Sequence, residues 1–371
     1  MSAPAPAPAT FDHPVVSADD HMDLNVMPPD LFVTRVASAM ADRVPVVRDA
    51  ADGPTWFLGD QPLALSGRRG KGYRVTDERG YRPGRPHERL EDMDIDHVLT
   101  HVIYGPLGGL PAADDDAQLA CIRAYNQWAI EFNATDPNRL VVLAHLPSTS
   151  PAVAAAELQT VVELGHRGAI IDPFVGEPRL FFAEWDRFWA IADEARIPIS
   201  VHIGGGMHSV FFAPGVWRAP ATATVIQMQL DEILVGLIFS GTLDRHPNVQ
   251  VVFGESGLGW VPYVLERMDA QHQRFRDVIG ADVLSMTPRE IFDRQVFMTY
   301  EEDDIGLQLI DHIGAGNVMW ASDYPHGDST WPRSHEAIAQ SALSQLSADD
   351  RRKIVCDNAA ALYQIDVKGP Q

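Results

Sequence analysis

The chain has 371 residues, 46% of them hydrophobic, with 8 Trp and 15 Phe, which is ample for one large core. A formal net charge of -22 and an isoelectric point of about 4.9 exclude a nucleic-acid-binding surface, which needs concentrated basic charge. Two cysteines, Cys121 and Cys356, have no CxxC spacing and build no disulfide framework, so a reducing cytoplasm is the expected compartment.

Residues 1–12 begin with an Ala/Pro-rich run that lacks a basic n-region and an apolar h-region; they read as a disordered tail, not a signal peptide. No uncharged apolar run reaches the length of a membrane span, so no membrane partner is expected. Residues 13–366 read as one domain. Its first strand candidate, Pro14 to Ala18, runs straight into Asp19-Asp20-His21-Met22-Asp23. Side chains alternate along a strand, so Asp19 and His21 point the same way and form a carboxylate–imidazole half-site for a divalent metal. Asp20 and Asp23 are alternatives in the same run.

Residues 28–90 form an insertion after this strand. Pro28 to Phe32 reads as a helix start. The stretch 52–86 is rich in Gly, Arg and Pro and is expected to be irregular, as a lid or a subunit contact. No GxxxxGK[ST] run is present, so it is not a P-loop.

From about Arg89 onward, strands alternate with helices. The strand candidates are 15–18, 98–104, 140–146, 168–172, 197–202, 249–254, 296–300 and 318–322, eight in all. Helical patterns lie between most of them, including an amphipathic stretch at 113–135 around Cys121, Tyr125, Trp128 and Phe132. Alternation of this kind implies a parallel sheet, and eight strands fit an α/β fold of the (β/α)8 TIM-barrel type, with its site at the C-terminal strand ends. A doubly wound open sheet is disfavoured because no GxGxxG follows the first strand.

Barrel strand ends converge, and here they carry ligand-type residues almost throughout: Asp19 and His21, His101 or Tyr104, His145, Asp172, His202, Glu255, Glu301 and Glu302, then Asp323 and His326. Buried ionisable groups are costly unless they serve one another or a metal. A mixed imidazole and carboxylate set suits one divalent ion, zinc best, with manganese or iron as alternatives. His101 and His145 read as wall histidines, Asp172 before Pro173 as a strand end, and Glu301 and Glu302 as caps of the next helix. His326, three residues past Asp323 in a constrained turn, is the proton-shuttle candidate.

The runs Ser17-Ala18-Asp19-Asp20-His21, Tyr81-Arg82-Pro83-Gly84, Val201-His202, Phe253-Gly254-Glu255-Ser256-Gly257 and Trp320-Ala321-Ser322-Asp323-Tyr324-Pro325-His326 together resemble the amidohydrolase-related metal-dependent barrels. The branch is the one similar to aminocarboxymuconate-semialdehyde decarboxylase and gamma-resorcylate decarboxylase. The resemblance runs from about residue 14 to 365. It implies metal ligands at Asp19, His21, His202 and Asp323. Two positions depart from the family pattern: the first ligand is Asp rather than His or Glu, and Glu255 stands where the decarboxylases often carry His. Arg82, His208 (after the Gly204–Gly206 triplet) and Tyr324 are the expected substrate-binding residues.

Metal-assisted hydrolysis is the leading expectation: Asp323 takes the proton of an activated water, and Glu255 or His326 orients or protonates the leaving group. The alternative is non-oxidative decarboxylation of an aromatic or unsaturated acid at the same site. A third reading is a catalytically silent ligand-binding barrel. The substrate class expected from the arginines at 68–85 and from Phe211, Phe212 and Trp217 is a small aromatic or carboxylated molecule. The acidic surface and the apolar 223–243 stretch fit a homodimer.

Overall fold

All eight expected strands form, and each is a short run that is almost wholly buried. The computed structural model describes residues 13–67, 80–106, 109–205, 208–212, 214–279 and 283–367, so the expected tail at 1–12 and Arg68 and Arg69 lie outside the described residues. The strands in chain order are β1 (Val16–His21), β2 (Val46–Ala50), β3 (Gly53–Leu58), β4 (Gln61–Leu65), β5 (Thr100–Tyr104), β6 (Leu140–Val142), β7 (Ala144–Leu146), β8 (Ala169–Ile171), β9 (Ile199–His202), β10 (Val251–Gly254), β11 (Val296–Tyr300) and β12 (Val318–Trp320).

β1, β5 and β6 pair in parallel, as do β7 to β12 in chain order. β6 and β7 are halves of one run divided at Leu143, whose N–H donates to Ile103 O at 2.9 Å, while Ala144 N–H turns to Gly168 O at 3.0 Å. This handover joins the two ladders. The opposite seam lies between β1 and the chain just past β12. There Ser322 N–H donates to Ser17 Oγ (2.7 Å), Asp323 N–H to Asp19 O (3.2 Å) and His21 N–H to Tyr324 O (2.7 Å). The ring is a (β/α)8 barrel whose strands all run the same way, so their C-terminal ends meet at one mouth.

The helices cover the outside. Asp115–Asn133 begins where the Asp114 carboxylate accepts the Ala117 N–H at 3.0 Å, and it buries Cys121, Tyr125, Trp128 and Phe132. Pro151–Glu163 starts on a Ser150 cap, and Pro288–Gln295 on a Thr287/Glu290 capping box. Between β11 and β12 the cap is Asp303, whose carboxylate accepts the Gly306, Leu258 and Gly259 N–H groups; Glu301 and Glu302, expected as caps, leave that role to it.

Within the insertion, residues 46–65 are more ordered than their composition suggests. β2, β3 and β4 form an antiparallel meander with two-residue turns at Ala51-Asp52 and Gly59-Asp60. Met22, Leu31, Phe32 and Trp56 build a second apolar cluster against the 115–133 helix. Burying side chains of that size contributes roughly 1.5–3 kcal/mol each, so this layer is anchored to the barrel wall.

Arg218–Phe239 is one helical stretch long and apolar enough to cross a membrane by length and composition. Its second half buries Leu230, Ile233, Leu234, Leu237 and Ile238 in the barrel's own core. Both cysteines are buried and free.

Candidate active site

β1 delivers two polar clusters to opposite sides. Asp19 and His21 face the barrel mouth, and Asp20 faces outward to the helix Pro86–Asp96. At the mouth, His21 Nε2 lies 2.9 Å from Asp323 Oδ1 and 3.7 Å from Asp19 Oδ1, and His202 Nε2 lies 3.5 Å from Asp19 Oδ1. All four residues are at most 4% exposed. Asp19 Oδ1, His21 Nε2, His202 Nε2 and Asp323 Oδ1 are each buried without a hydrogen bond of acceptable geometry. Four orphaned ligand atoms, two imidazole nitrogens and two carboxylate oxygens, thus converge from the first, fifth and eighth barrel strands. Burying them bare costs free energy, and a divalent cation would relieve that cost: Asp19, His21 and His202 bring ligand atoms within 4.8 Å of one another, and His21 does the same with Glu255, Asp323 and His326. The donor set fits the group that the sequence implies.

The remaining atoms of these residues are held from behind. Asp19 Oδ2 accepts from Thr299 Oγ1 (2.7 Å) and from Glu255 N–H (2.8 Å), which turns Oδ1 toward the site. His202 Nδ1 sits 2.9 Å from Ile203 O; donation there leaves Nε2 with its lone pair for a metal. Gly254 is required beside them, because a Cβ at that position would stand 2.4 Å from His202 Cδ2 and 3.1 Å from Asp19 Oδ2. Asp323 and Glu255 both have left-handed backbone, φ 58° and 48°. Non-glycine residues rarely adopt it, and such strain concentrates at functional sites.

Glu255 Oε2 stands 3.7 Å from His202 Nε2. Burial, reinforced by the Asp323 charge, pushes the Glu255 carboxyl up to about 8. His326 stacks on His21, with ring centroids 3.9 Å apart, and bridges two carboxylates: Nδ1 to Asp323 Oδ2 at 3.1 Å and Nε2 to Asp23 Oδ2 at 3.0 Å. Burial works against its charge, but Asp323 and Asp23 outweigh it and hold the imidazolium well above the usual range. Burial likewise opposes protonation of His202, and Asp19 overcomes it, raising the ring to about 9. A metal must therefore displace a proton there.

The structure places Glu255, His326 and the four expected ligands together. Arg82 and Tyr324, expected as substrate-binding residues, both turn their polar atoms to Asp92. The Arg82 guanidinium is already spent on Asp92 (3.0 Å) and Glu91 (2.6 Å). Tyr324 is 1% exposed and its hydroxyl donates to Asp92 Oδ2 at 2.5 Å. His208 precedes the short helical turn Ser209–Phe212 and is half-buried, with Nδ1 unpartnered. Asp23, Thr299 and Glu301 carry more of the site than their places in the linear chain suggest. Glu301, Asp323 and Asp328 bring carboxylate oxygens within 4.8 Å of one another, and burial followed by these charges raises the Glu301 carboxyl to about 10. The Asp19-x-His21-x-Asp23 alternation was the available signal for Asp23; nothing in the sequence marked Thr299.

The chain belongs to the amidohydrolase family, whose model matches residues 71–365. It is therefore an enzyme of the metal-dependent amidohydrolase superfamily. Among its curated relatives is a gamma-resorcylate decarboxylase from Rhodococcus jostii, 27% identical over 294 residues, spanning 75% of this chain and 87% of the relative. The fold is shared with an amidohydrolase from Mycobacterium avium subsp. paratuberculosis, at TM-score 0.76 and 21% identity over 95% of this chain and 100% of the other. It is also shared with a 5-carboxyvanillate decarboxylase from Novosphingobium aromaticivorans, at TM-score 0.70 and 17% identity over 95% and 97%. That structure was solved with bound manganese and 3-methoxy-4-hydroxy-5-nitrobenzoic acid.

Proposed function

We propose that this protein is a metal-dependent, non-oxidative decarboxylase of a hydroxylated aromatic carboxylic acid. The observation that carries this reading is the His326 imidazolium, held between Asp323 and Asp23 against the ligand set, in a chain whose curated relatives are decarboxylases. Of the two reactions expected from the sequence, decarboxylation has the better support and hydrolysis the weaker. What favours decarboxylation is that the matched curated relatives are decarboxylases, and that His326 and Glu255 stand beside the ligand set, where either can hold a proton for the ring carbon.

Asp19, His21, His202 and Asp323 would hold one divalent ion. When bound, it supplies Lewis acidity to the substrate's carboxylate and to an adjacent hydroxyl oxygen. Manganese, found in the neighbour above, suits this mixed imidazole and carboxylate set as zinc does. His326 donates its proton to the ring carbon that bears the carboxylate. A C–H bond forms, the C–C bond to the carboxylate breaks, its electron pair restores the aromatic ring, and CO₂ leaves. Asp23 and Asp323 keep the imidazole oriented through the transfer and stabilise its charge before it. Glu255 lies beside His202, where its protonated carboxyl can donate a hydrogen bond to a substrate oxygen.

The test is incubation of manganese- or zinc-loaded protein, without oxygen or nucleotide, with 2-hydroxybenzoate and dihydroxybenzoates, followed by CO₂ and phenol measurement beside a panel of aryl esters, amides and lactones. Stoichiometric CO₂ and phenol are expected. Turnover confined to the hydrolysable panel would overturn the reading.

A further inference from the structure

Residues 214–232 carry an apolar face that the barrel does not use. The helix Arg218–Val225 buries none of its residues, and the short turn Ile226–Leu230 after it buries only Gln229 and Leu230. From Asp231 the same helical stretch turns inward, with Ile233, Leu234, Leu237 and Ile238 in the core. Pro220, Thr224, Met228 and Asp231 are all exposed and follow one another at intervals of three or four residues, so they form one stripe along the outer side. At its N-terminal end stand Phe212, Val216 and Trp217, 68%, 96% and 54% exposed, and Met228 itself is 42% exposed. Scattered exposed hydrophobics are ordinary, but a contiguous set rimmed by charge marks an interaction surface.

Charge selects the occupant. Between His202 and Asp231, Arg218 is the one residue among Lys, Arg, Asp and Glu, in a chain whose net charge of -22 makes most faces of two copies repel. Asp231 and Glu232, both exposed, close the stretch. The face thus runs from a cation, through an uncharged span, to two anions. Such a face complements itself when a second copy lies antiparallel to it, which is the arrangement a two-fold axis makes. With the axis at Thr224, Pro220 lies opposite Met228 of the second copy. Arg218 then falls within one turn of Asp231 and Glu232 of the second copy, and the match repeats at the other end. A lipid surface would take up Phe212, Val216 and Trp217 equally well, but it gives Asp231 and Glu232 no matched cation.

We infer that residues 214–232, with Phe212, form a two-fold interface between two copies of this chain. A standard interface takes roughly 20–30 residues from each side, and this stretch supplies most of them. The inner side of the same stretch bears on the barrel mouth. Gln229 Oε1 accepts the Gly204 N–H at 3.0 Å, and a Cβ on Gly257 would sit 3.0 Å from Gln227 Oε1. Gly204 follows the ligand His202, and Gly257 follows Glu255, so a docked copy braces both segments from outside. The interface is independent of which reaction the site performs.

The test is sedimentation velocity of the full chain at about 1–100 μM, where a dimer is expected. Thr224→Asp sets two like charges face to face at the axis and should raise the dissociation constant by roughly 100-fold or more. Arg218→Glu, and separately Asp231→Lys with Glu232→Lys, should each weaken self-association by roughly 10-fold or more. An equimolar mixture of those two proteins should recover dimers of near wild-type strength, because both contacts then join opposite charges. Recovery requires two folded partners, so it separates lost pairing from lost folding. A wild-type protein that stays monomeric over that range overturns the inference, and so does a mixture that pairs no better than its components. A dimer indifferent to all of these changes is built on another face and overturns it as well. A monomeric wild type that co-sediments with phosphatidylcholine vesicles, and is released by Val216→Asp, would assign the face to lipid instead.

Discussion

One strand supplies both halves of a controlled comparison. On the outward side of β1, Asp20 Oδ1 accepts from Ser322 Oγ (2.6 Å) and Tyr324 N–H (3.0 Å), and fully buried Arg89 spreads its guanidinium over His21 O, Pro83 O, Tyr324 O and His101 Nδ1. On the inward side, one residue away in either direction, Asp19 and His21 leave Oδ1 and Nε2 bare beside the bare atoms of His202 and Asp323. Both sides are buried and charged. The outward cluster spends its polar atoms mostly on the protein's own backbone and side chains; the inward cluster points its atoms at one shared centre. Burial and charge alone do not separate structure from function; the direction of the unused lone pairs does.

The comparison can be broken from either side. His326→Gln removes the proton donor while leaving the ligands in place. The rate of CO₂ release should fall by about 10²–10⁴-fold, the typical worth of a positioned general acid, with metal content in the purified variant unchanged. Metal loss of the same proportion would make His326 a structural group instead. Arg89→Met acts on the outward cluster, where it strips donors from three carbonyls and removes the cation facing Asp20. Removing one partner of a buried charged set costs about 3–5 kcal/mol, to be read from urea unfolding. Metal affinity of the folded fraction should move less than three-fold; a larger change would mean the two sides of β1 are coupled. Thr299→Val takes one of the two hydrogen bonds that turn Asp19 Oδ1 inward. Loss of such a supporting contact typically lowers metal affinity by about 10–100-fold, which competition with a chelating indicator would measure; an unchanged affinity would show that the Glu255 N–H suffices.

The barrel was legible because its strands are short, wholly buried apolar runs such as Val251 to Gly254, and because helical periods separate them. The ligand candidates were legible for a related reason: an ionisable side chain at the end of a buried run is costly to keep unless it binds something. Partner choice was not. Arg82 and Tyr324 look available in a linear sequence, and only the fold shows that Asp92 has claimed both. Asp303 outcompeted Glu301 and Glu302 for the helix start because its carboxylate, one residue nearer the helix, reaches the free amides of two segments. The meander at 46–65 was obscured by the same Gly and Asp residues that make its turns; Leu58-Gly59-Asp60-Gln61 was a readable hairpin signal.

The seam between β1 and the chain past β12 also sets a timetable. Asp20 and Tyr324, bonded across that seam, are 304 residues apart in sequence. Closing so long a loop is slow and comes late in folding, and synthesis brings the Asp19 and His21 end out first. A nascent chain lacking its last strand holds three of the four ligands without the fourth, so it can hold a metal at most loosely and cannot position His326 at all. Competence for the proposed chemistry therefore arrives only when the first and last barrel strands meet.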